Sequence, residues 1–288
     1  MKISIAKELM KRCILKEIQT SFLFQGGMGI GKSDMWKQIT RDLDMQLVDL
    51  RLAQLEPGDI IGVPRGVEGK TVWLQPGWWP KEGTRGIVHL DELNRAPVDV
   101  RQAVFQLVLD KRMHTHVLPR GWYVHASINP SNGNYQVEEL DKAMLRRFCQ
   151  IKIVPDVDEF IGYWHKTYQD QHADLISRFV LSNKGFLVND EEFEIEAQPT
   201  PDGYRMIHEM MSAGVLDGET ETEVVQGLVG REIAVAFVRF MDKTFKKPVS
   251  GKDVLNNYPA VKEQIKAQNN DAMFVTLHDL IGVLKGLD

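Results

Sequence analysis

The feature that most constrains the fold of this chain is the run Gly26-Gly-Met-Gly-Ile-Gly31-Lys32-Ser33. It fits the pattern GxxxxGK[ST], and the composition has a physical reason. Glycines let the backbone curl so that successive N–H groups point inward at phosphate oxygens, and the N-terminus of a following helix adds its dipole. A lysine at position 32 can reach β- and γ-phosphates, and the Ser33 hydroxyl can ligate Mg²⁺. With glycine at ~7% of residues, chance produces such a pattern in roughly one chain of this length in a hundred. The context agrees with the motif. Ser21–Gln25 (SFLFQ) is an apolar run that stops at the glycines, as a buried strand would, and a helix is expected from about Lys32 to Leu43. The expected nucleotide contacts are Gly26, Gly27, Met28, Gly29, Ile30, Gly31, Lys32 and Ser33, with Asp34 next on the helix.

Further along, the same alternation continues. Gln46–Leu50 reads as a second strand and Gly86–Leu90 as a third, buried one ending at Asp91-Glu92. A helix is expected from Pro97 to about Arg112, with Val100, Ala103, Val104, Leu107 and Val108 on one face. Residues 113–121 read as a hairpin and Trp122–Ile128 as the next strand. Strands alternating with helices predict a parallel α/β sheet. Residues 56–86 hold several Gly and Pro and read as loops and short hairpins. At the N-terminus, residues 4–18 read as an amphipathic helix with Ile5, Leu9, Ile14 and Ile18 on one side. After Pro155 helical periodicity takes over, as at Ile233, Phe237, Phe240 and Met241, and again at Met273, Leu277, Leu280 and Leu284. The expected organisation is an α/β nucleotide-binding domain over 1–154, with insertions near 56–86 and 112–121, and a helical part over 155–288.

Composition excludes whole classes. A chain of 288 residues with 43% hydrophobic and 26% charged residues can build a core, and is neither disordered nor fibrous. No apolar stretch approaches ~18 residues, so no membrane span is expected. Two cysteines, Cys13 and Cys149, argue against a secreted disulfide scaffold and for a reducing cytoplasm. Lys and Arg number 35 against 40 Asp and Glu, a net charge of −5. Such a chain is not an electrostatic nucleic-acid binder by default.

Asp91 and Glu92 give the motif its chemistry. Below a phosphate loop, an Asp at such a strand end holds the Mg²⁺ shell, and the Glu after it can orient and deprotonate the attacking water. The pair points to hydrolysis as well as binding, because a nucleophilic water needs a base.

The order of these motifs resembles the MoxR branch of the AAA+ ATPases. The matches are Leu90-Asp-Glu-Leu-Asn-Arg-Ala96, Ala126-Ser-Ile-Asn129-Pro130, Leu140-Asp-Lys-Ala-Met-Leu-Arg-Arg-Phe148 and Asp59-Ile-Ile-Gly62. They span residues 20 to 150. The resemblance implies an AAA+ sheet flanked by helices, a smaller all-helical lid, and a ring, usually a hexamer, with ATP and Mg²⁺ bound between subunits. It implies that Asn129 is the sensor that helps position the water, and an amide there can donate to the γ-phosphate while accepting from water. It implies that Arg147 is an arginine finger supplied to the neighbouring subunit, with Arg146 able to share the role. The family often has Ser/Thr-Pro-Arg at the start of a lid helix. Here Asp202 follows Pro201 where the Arg is expected, and Arg205, nearly one turn later, is the candidate replacement.

Other features carry less. His114 and His116, two apart, would share a face of a hairpin strand, with His125 on the next strand, but a metal there lacks a third ligand at a dependable spacing. Trp73, Trp78 and Trp79 are expected to pack their insertion against the domain, with a partner-facing platform as the alternative. Lys111, Arg112 and Arg120 near the hairpin read by default as solvated charge, with a pore lining that meets a polymer as the alternative. Asn183-Lys184-Gly185-Phe186 fails the guanine signature NKxD at its last position, so ATP is favoured over GTP. The leading expectation is a cytoplasmic ring ATPase that remodels a protein client, with a von Willebrand factor A-type partner as one form of client complex. The competing one is a nucleic-acid-associated AAA+ motor or restriction-type NTPase, against which the acidic balance stands.

Overall fold

Five strands pair into one all-parallel sheet. The strands are β1 (Ser21–Gln25), β2 (Gln46–Arg51), β5 (Gly86–Asp91), β8 (Trp122–Ile128) and β9 (Phe148–Lys152), in the order β2-β5-β8-β1-β9. The remaining strands form two small hairpins, β3 (Val63–Val67) with β4 (Lys70–Leu74), and β6 (Arg112–Met113) with β7 (His116–Val117). This computed structural model describes residues 1–129, 140–188, 197–216, 220–244, 249, 251–266, 273, 276–277, 280–281 and 283–284. Pro130, part of the Asn129-Pro130 reading, lies outside them. The described residues fall into two compact units. One holds Met1–Phe160 and Thr200–Asp202, and the other holds those from Ile161 on outside that short segment.

In the first unit the three inner strands β1, β5 and β8 are buried along almost their whole length, because helices cover both faces. Edge strand β2 is largely exposed. Helix α2 (Lys32–Asp42) buries Met35, Trp36 and Ile39, and α4 (Val98–Asp110) buries Val100, Val104, Leu107 and Val108. Gly86 opens β5 for a steric reason. A Cβ there would stand 2.4 Å from the Trp122 ring and 2.7 Å from the Gln46 carbonyl.

Helix α1 (Ile3–Leu15) differs from the expected face. Ala6, Met10 and Ile14, spaced by four, are buried, while Ile5 is 51% exposed. Lys7 and Lys11 bind Asp42 at the end of α2, and Glu159 accepts from the N–H groups of Ile3 and Ser4, so both ends of α1 are tied down. Glu17 then turns the chain with φ +55°, and the helix stops before Ile18.

The insertions are ordered as hairpins, with a short helix α3 (Pro57–Ile61) before the first. The tryptophans pack, as expected. Trp79 is buried in the main core, and Trp78 donates Nε1–H to the Asp59 carbonyl at 2.8 Å. Trp73 stacks on His114 at 4.3 Å, with 11° between the rings. In the nucleotide-binding part, the single-turn α5 (Lys142–Leu145), β9 and the short α3 were not legible in the sequence. Strand β9 buries Phe148 and Ile151, three apart, a spacing that lacks the alternation of a strand.

The second unit is helical: the end of α6 (Val157–Thr167), α7 (Gln171–Ser182), most of α8 (Pro201–Ser212), α9 (Glu221–Val229), α10 (Arg231–Thr244) and α11 (Gly251–Lys266). Phe179 anchors its core, edge-on to Phe237 at 5.0 Å, and Tyr204 donates to the Phe186 carbonyl at 2.7 Å. Ile233, Phe237 and Met241 are buried as their spacing predicts. No helix among the described residues is long and apolar enough to cross a membrane.

Candidate active site

The site lies at the C-terminal ends of β1, β5 and β8, where ligands gather in open parallel sheets. Between β1 and α2 the glycine loop turns through left-handed conformations at Gly29 (φ +67°) and Gly31 (φ +96°), which a side chain would resist. Gly31 is the residue before α2, and no side chain caps that helix, so its first turn presents backbone donors and a positive dipole end.

Lys32 is the centre of the arrangement. It is only 7% exposed. Its ammonium donates to the carbonyls of Gly26 and Gly27, each at 2.7 Å, and to Asn129 Oδ1 at 2.8 Å. Burial pushes its pKa down to about 8, against the opposing pull of Asp91 and Glu92. No carboxylate pairs with it directly among the described residues, so its charge is balanced only at a distance, by Asp91 and Glu92. Ser33 Oγ donates to Asp91 Oδ2 at 3.2 Å, which places both expected Mg²⁺ ligands together.

Glu92 follows Asp91 in a left-handed conformation (φ +54°), uncommon for a non-glycine residue and of the kind found at functional sites. Its N–H donates to Asp91 Oδ1 at 3.0 Å, and its Oε1 pairs with Arg95 at 3.3 Å. Asn94 was overlooked in the sequence. It is 5% exposed and donates Nδ2–H to the Asn129 carbonyl at 2.7 Å, tying the strand ends that carry Asp91 and Asn129. Its place in the Leu90–Ala96 motif was the available signal. The structure thus brings together Gly26, Gly27, Lys32, Ser33, Asp91, Glu92 and Asn129. Met28 and Ile30 complete the loop, Met28 exposed and Ile30 buried, and Asp34 sits in the first turn of α2.

The expected fingers part company. Arg146 is exposed, whereas Arg147 is half-buried with its guanidinium 4.3 Å over the Phe105 ring. Arg205 lies on α8 in the helical unit and pairs with Glu209 one turn on. The histidines do not converge on a metal. His114 and His116 support Trp73, the latter bonding its carbonyl at 3.0 Å. His125 is a core residue stacked on Trp36 at 4.9 Å. Burial first, then the neighbouring Lys111 and His89, push its pKa down to about 3, so it is neutral.

Among the described residues, Asp49, His89 and Asp91 are the group whose donor atoms approach within 4.8 Å of one another. The sequence did not suggest Asp49 or His89.

Residues 21–148 match the family "AAA domain (dynein-related subfamily)". No curated protein matches the chain. Among solved structures, the RuvB Holliday junction branch migration motor of Thermotoga maritima is similar at 12% identity and a TM-score of 0.47, over 89% of this chain and 76% of that one. A Cytophaga hutchinsonii protein with a provisional assignment as an ATPase is similar at 16% identity and a TM-score of 0.40, over 95% and 67%. Both scores lie below one half, and neither likeness bears on function.

Proposed function

We propose, from the premise that residues 21–148 form an AAA+ P-loop ATPase domain, that the chain is a MoxR-like ring subunit. In this reading it hydrolyses ATP with Mg²⁺ in a reducing cytoplasm and uses the energy to remodel a protein partner. The observation that carries the site reading is the buried Lys32 ammonium, held by Gly26, Gly27 and Asn129 beside a Ser33–Asp91 contact. A buried cation without a carboxylate partner among the described residues, next to an uncapped helix start, suits a triphosphate. Ser33 and Asp91 would hold the Mg²⁺, which neutralises developing phosphate charge when bound. Lys32 supplies charge to the β- and γ-phosphates, Asn129 orients the water, and Glu92 takes its proton. Arg147 or Arg146 of one subunit would complete the site of the next, and Arg205 is the candidate lid contact.

A protein client is favoured over a nucleic acid by what the hairpin β3–β4 presents. Val63, Val67, Val72 and Leu74 are 43–61% exposed, an apolar surface that suits a protein partner more than a phosphate backbone. The net charge of −5 points the same way.

The test is ATP binding and turnover of the full chain and two variants. Lys32→Ala should lose ATP binding in titration calorimetry while remaining folded. Glu92→Gln should bind ATP and lose turnover, because the amide keeps the shape but accepts no proton. Wild-type affinity in the first, or near-normal turnover in the second, overturns the assigned roles. Stimulation by DNA or RNA but by no protein would overturn the client reading.

A further inference from the structure

Beneath the site, a second set of polar side chains crosses the sheet. Asp49 on β2 pairs in register with His89 on β5, and Asp49 Oδ1 lies 2.7 Å from His89 Nδ1. On the other side of the ring, His89 Nε2 lies 2.8 Å from Ser127 Oγ on β8. In the tautomer that leaves no donor unused, Nδ1–H donates to Asp49 and the Ser127 hydroxyl donates to Nε2. His89 and Ser127 are fully buried.

Strand alternation places this row. His89 precedes Asp91 by two residues, and Ser127 precedes Asn129 by two, so all four side chains belong to one face of the sheet. Leu90 pairs with Ala126, which sets Ser127 beside Asp91 in register. The face is the one covered by α2, because the Trp36 ring meets His89 at 5.6 Å and Ser33 meets Asp91. The Asp49–His89–Ser127 row therefore cross-links the strands that end in Asp91 and Asn129, one step below the groups that hold and sense the nucleotide.

Two other chemistries fail on geometry. An Asp–His–Ser set is the arrangement of an acyl-transfer nucleophile, but Ser127 has no surface for a substrate to reach. A metal on Asp49, His89 and Asp91 would need a ring lone pair, and both ring nitrogens already have protein partners.

We propose that Asp49, His89 and Ser127 are positioning residues for ATP hydrolysis. They fix the relative depth of β5 and β8 so that Asp91 and Asn129 meet the nucleotide in one geometry. The proposal rests on the site reading above and deepens it. The physical cause is rigidity. Parallel strands carry evenly spaced backbone bonds, and a buried side-chain rung adds a directional constraint at the level where the strands leave the sheet. Groups that orient a reacting shell from behind typically cost ~10–100-fold when lost.

The experiment is steady-state ATPase kinetics of the full chain, with thermal melting beside it. His89 is left intact because its ring packs on Trp36. Asp49→Ala and Ser127→Ala should each lower kcat by ~10–100-fold, with KM for ATP changed less than ~2-fold and melting close to wild type. Asp49→Asn should keep most of kcat, because its amide oxygen still accepts from the ring. The double variant Asp49→Ala/Ser127→Ala should be little worse than either single one, as residues acting as one unit behave. The proposal is overturned if both alanine variants, folded, keep kcat within ~2-fold. It is equally overturned if kcat falls only in step with melting temperature and Asp49→Asn is as damaged as Asp49→Ala. Lys32→Ala separates the two levels. If it abolishes turnover while the alanine variants turn over normally, only the positioning role falls; if Lys32→Ala itself turns over, the site reading falls with it.

Discussion

Withdrawing a lysine from water is costly wherever it lies, and among the described residues Lys32, which is buried, and Lys111, which is partly buried, bear that cost to different ends. Lys32 accepts the cost at the phosphate loop, where an anion can repay it. Lys111, in a left-handed conformation after α4, donates to Ser21 Oγ at 2.6 Å and the Val108 carbonyl at 2.7 Å, at the end of β1 away from the glycine loop. Burial pushes its pKa down to about 8. The unfolded chain titrates near ~10.4. Below about pH 8 both states hold the proton and the fold carries the full burial cost. Between about 8 and ~10.4 the folded state gives up its proton while the unfolded state keeps it, so stability rises with pH across that window. Lys32 contributes in the same direction. Lys111→Met should therefore be more stable than wild type at pH 7, by of order 1–2 kcal/mol, with the advantage shrinking toward pH 10. Urea denaturation at pH 7, 8.5 and 10 reads this directly. A difference constant across pH would mean that Lys111 keeps its proton throughout.

At the scale of elements, α2 must be held rigidly, because Lys32 and Ser33 open it. Trp36, one turn later, does this. It is fully buried, stacked on His125 with 3° between the rings, edge-on to Phe24 at 5.4 Å and tilted to His89 at 5.6 Å. Its Nε1–H is buried without an acceptor among the described residues, so the ring is there for shape and not for a hydrogen bond. Trp36→Phe should then cost little, since it keeps an aromatic face and removes an unsatisfied donor. Trp36→Ala should cost about 3–5 kcal/mol. Equal denaturant midpoints for the two variants would show that the stack does not hold the helix.

For the molecule as a whole, the proposed shared site makes the arginines decide whether a single chain can be an efficient catalyst. In the proposed site the loop, Asp91 and Glu92 aim a nucleotide, yet transition-state charge on the γ-phosphoryl oxygens needs a further cation, typically worth ~10³–10⁵ in rate when supplied in trans. Specific activity should rise with protein concentration as rings form. Arg147→Ala should bind ATP normally and hydrolyse it poorly. Mixed with Lys32→Ala it should recover part of the activity, because one interface then pairs an intact loop with an intact Arg147. The Phe105 ring under Arg147 holds its guanidinium by a cation–π contact. Full turnover by Arg147→Ala would move the role to exposed Arg146 or elsewhere, and activity unchanged while scattering shows dissociation would end the shared-site idea.

The sequence alone determined what is local. The glycine loop, the acidic pair and the apolar runs of β1, β5 and β8 were legible because their chemistry lies in residue type at short spacing. Buried parallel strands read as continuous apolar segments whatever their neighbours. The buried face of α1 was misjudged, because Ile5 is as apolar as Met10 and only docking against α2 distinguishes them. Strand β9 escaped because pairing with β1 makes it a strand, not its own pattern. The tertiary structure alone decided that Asp49, His89 and Ser127 meet. They stand 40 and 38 residues apart, and adjacency across the order β2-β5-β8 is a product of strand pairing between distant segments. No spacing in the chain encodes that order, because each crossover can in principle return on either side of the sheet until the covered faces and the right-handed connections select one.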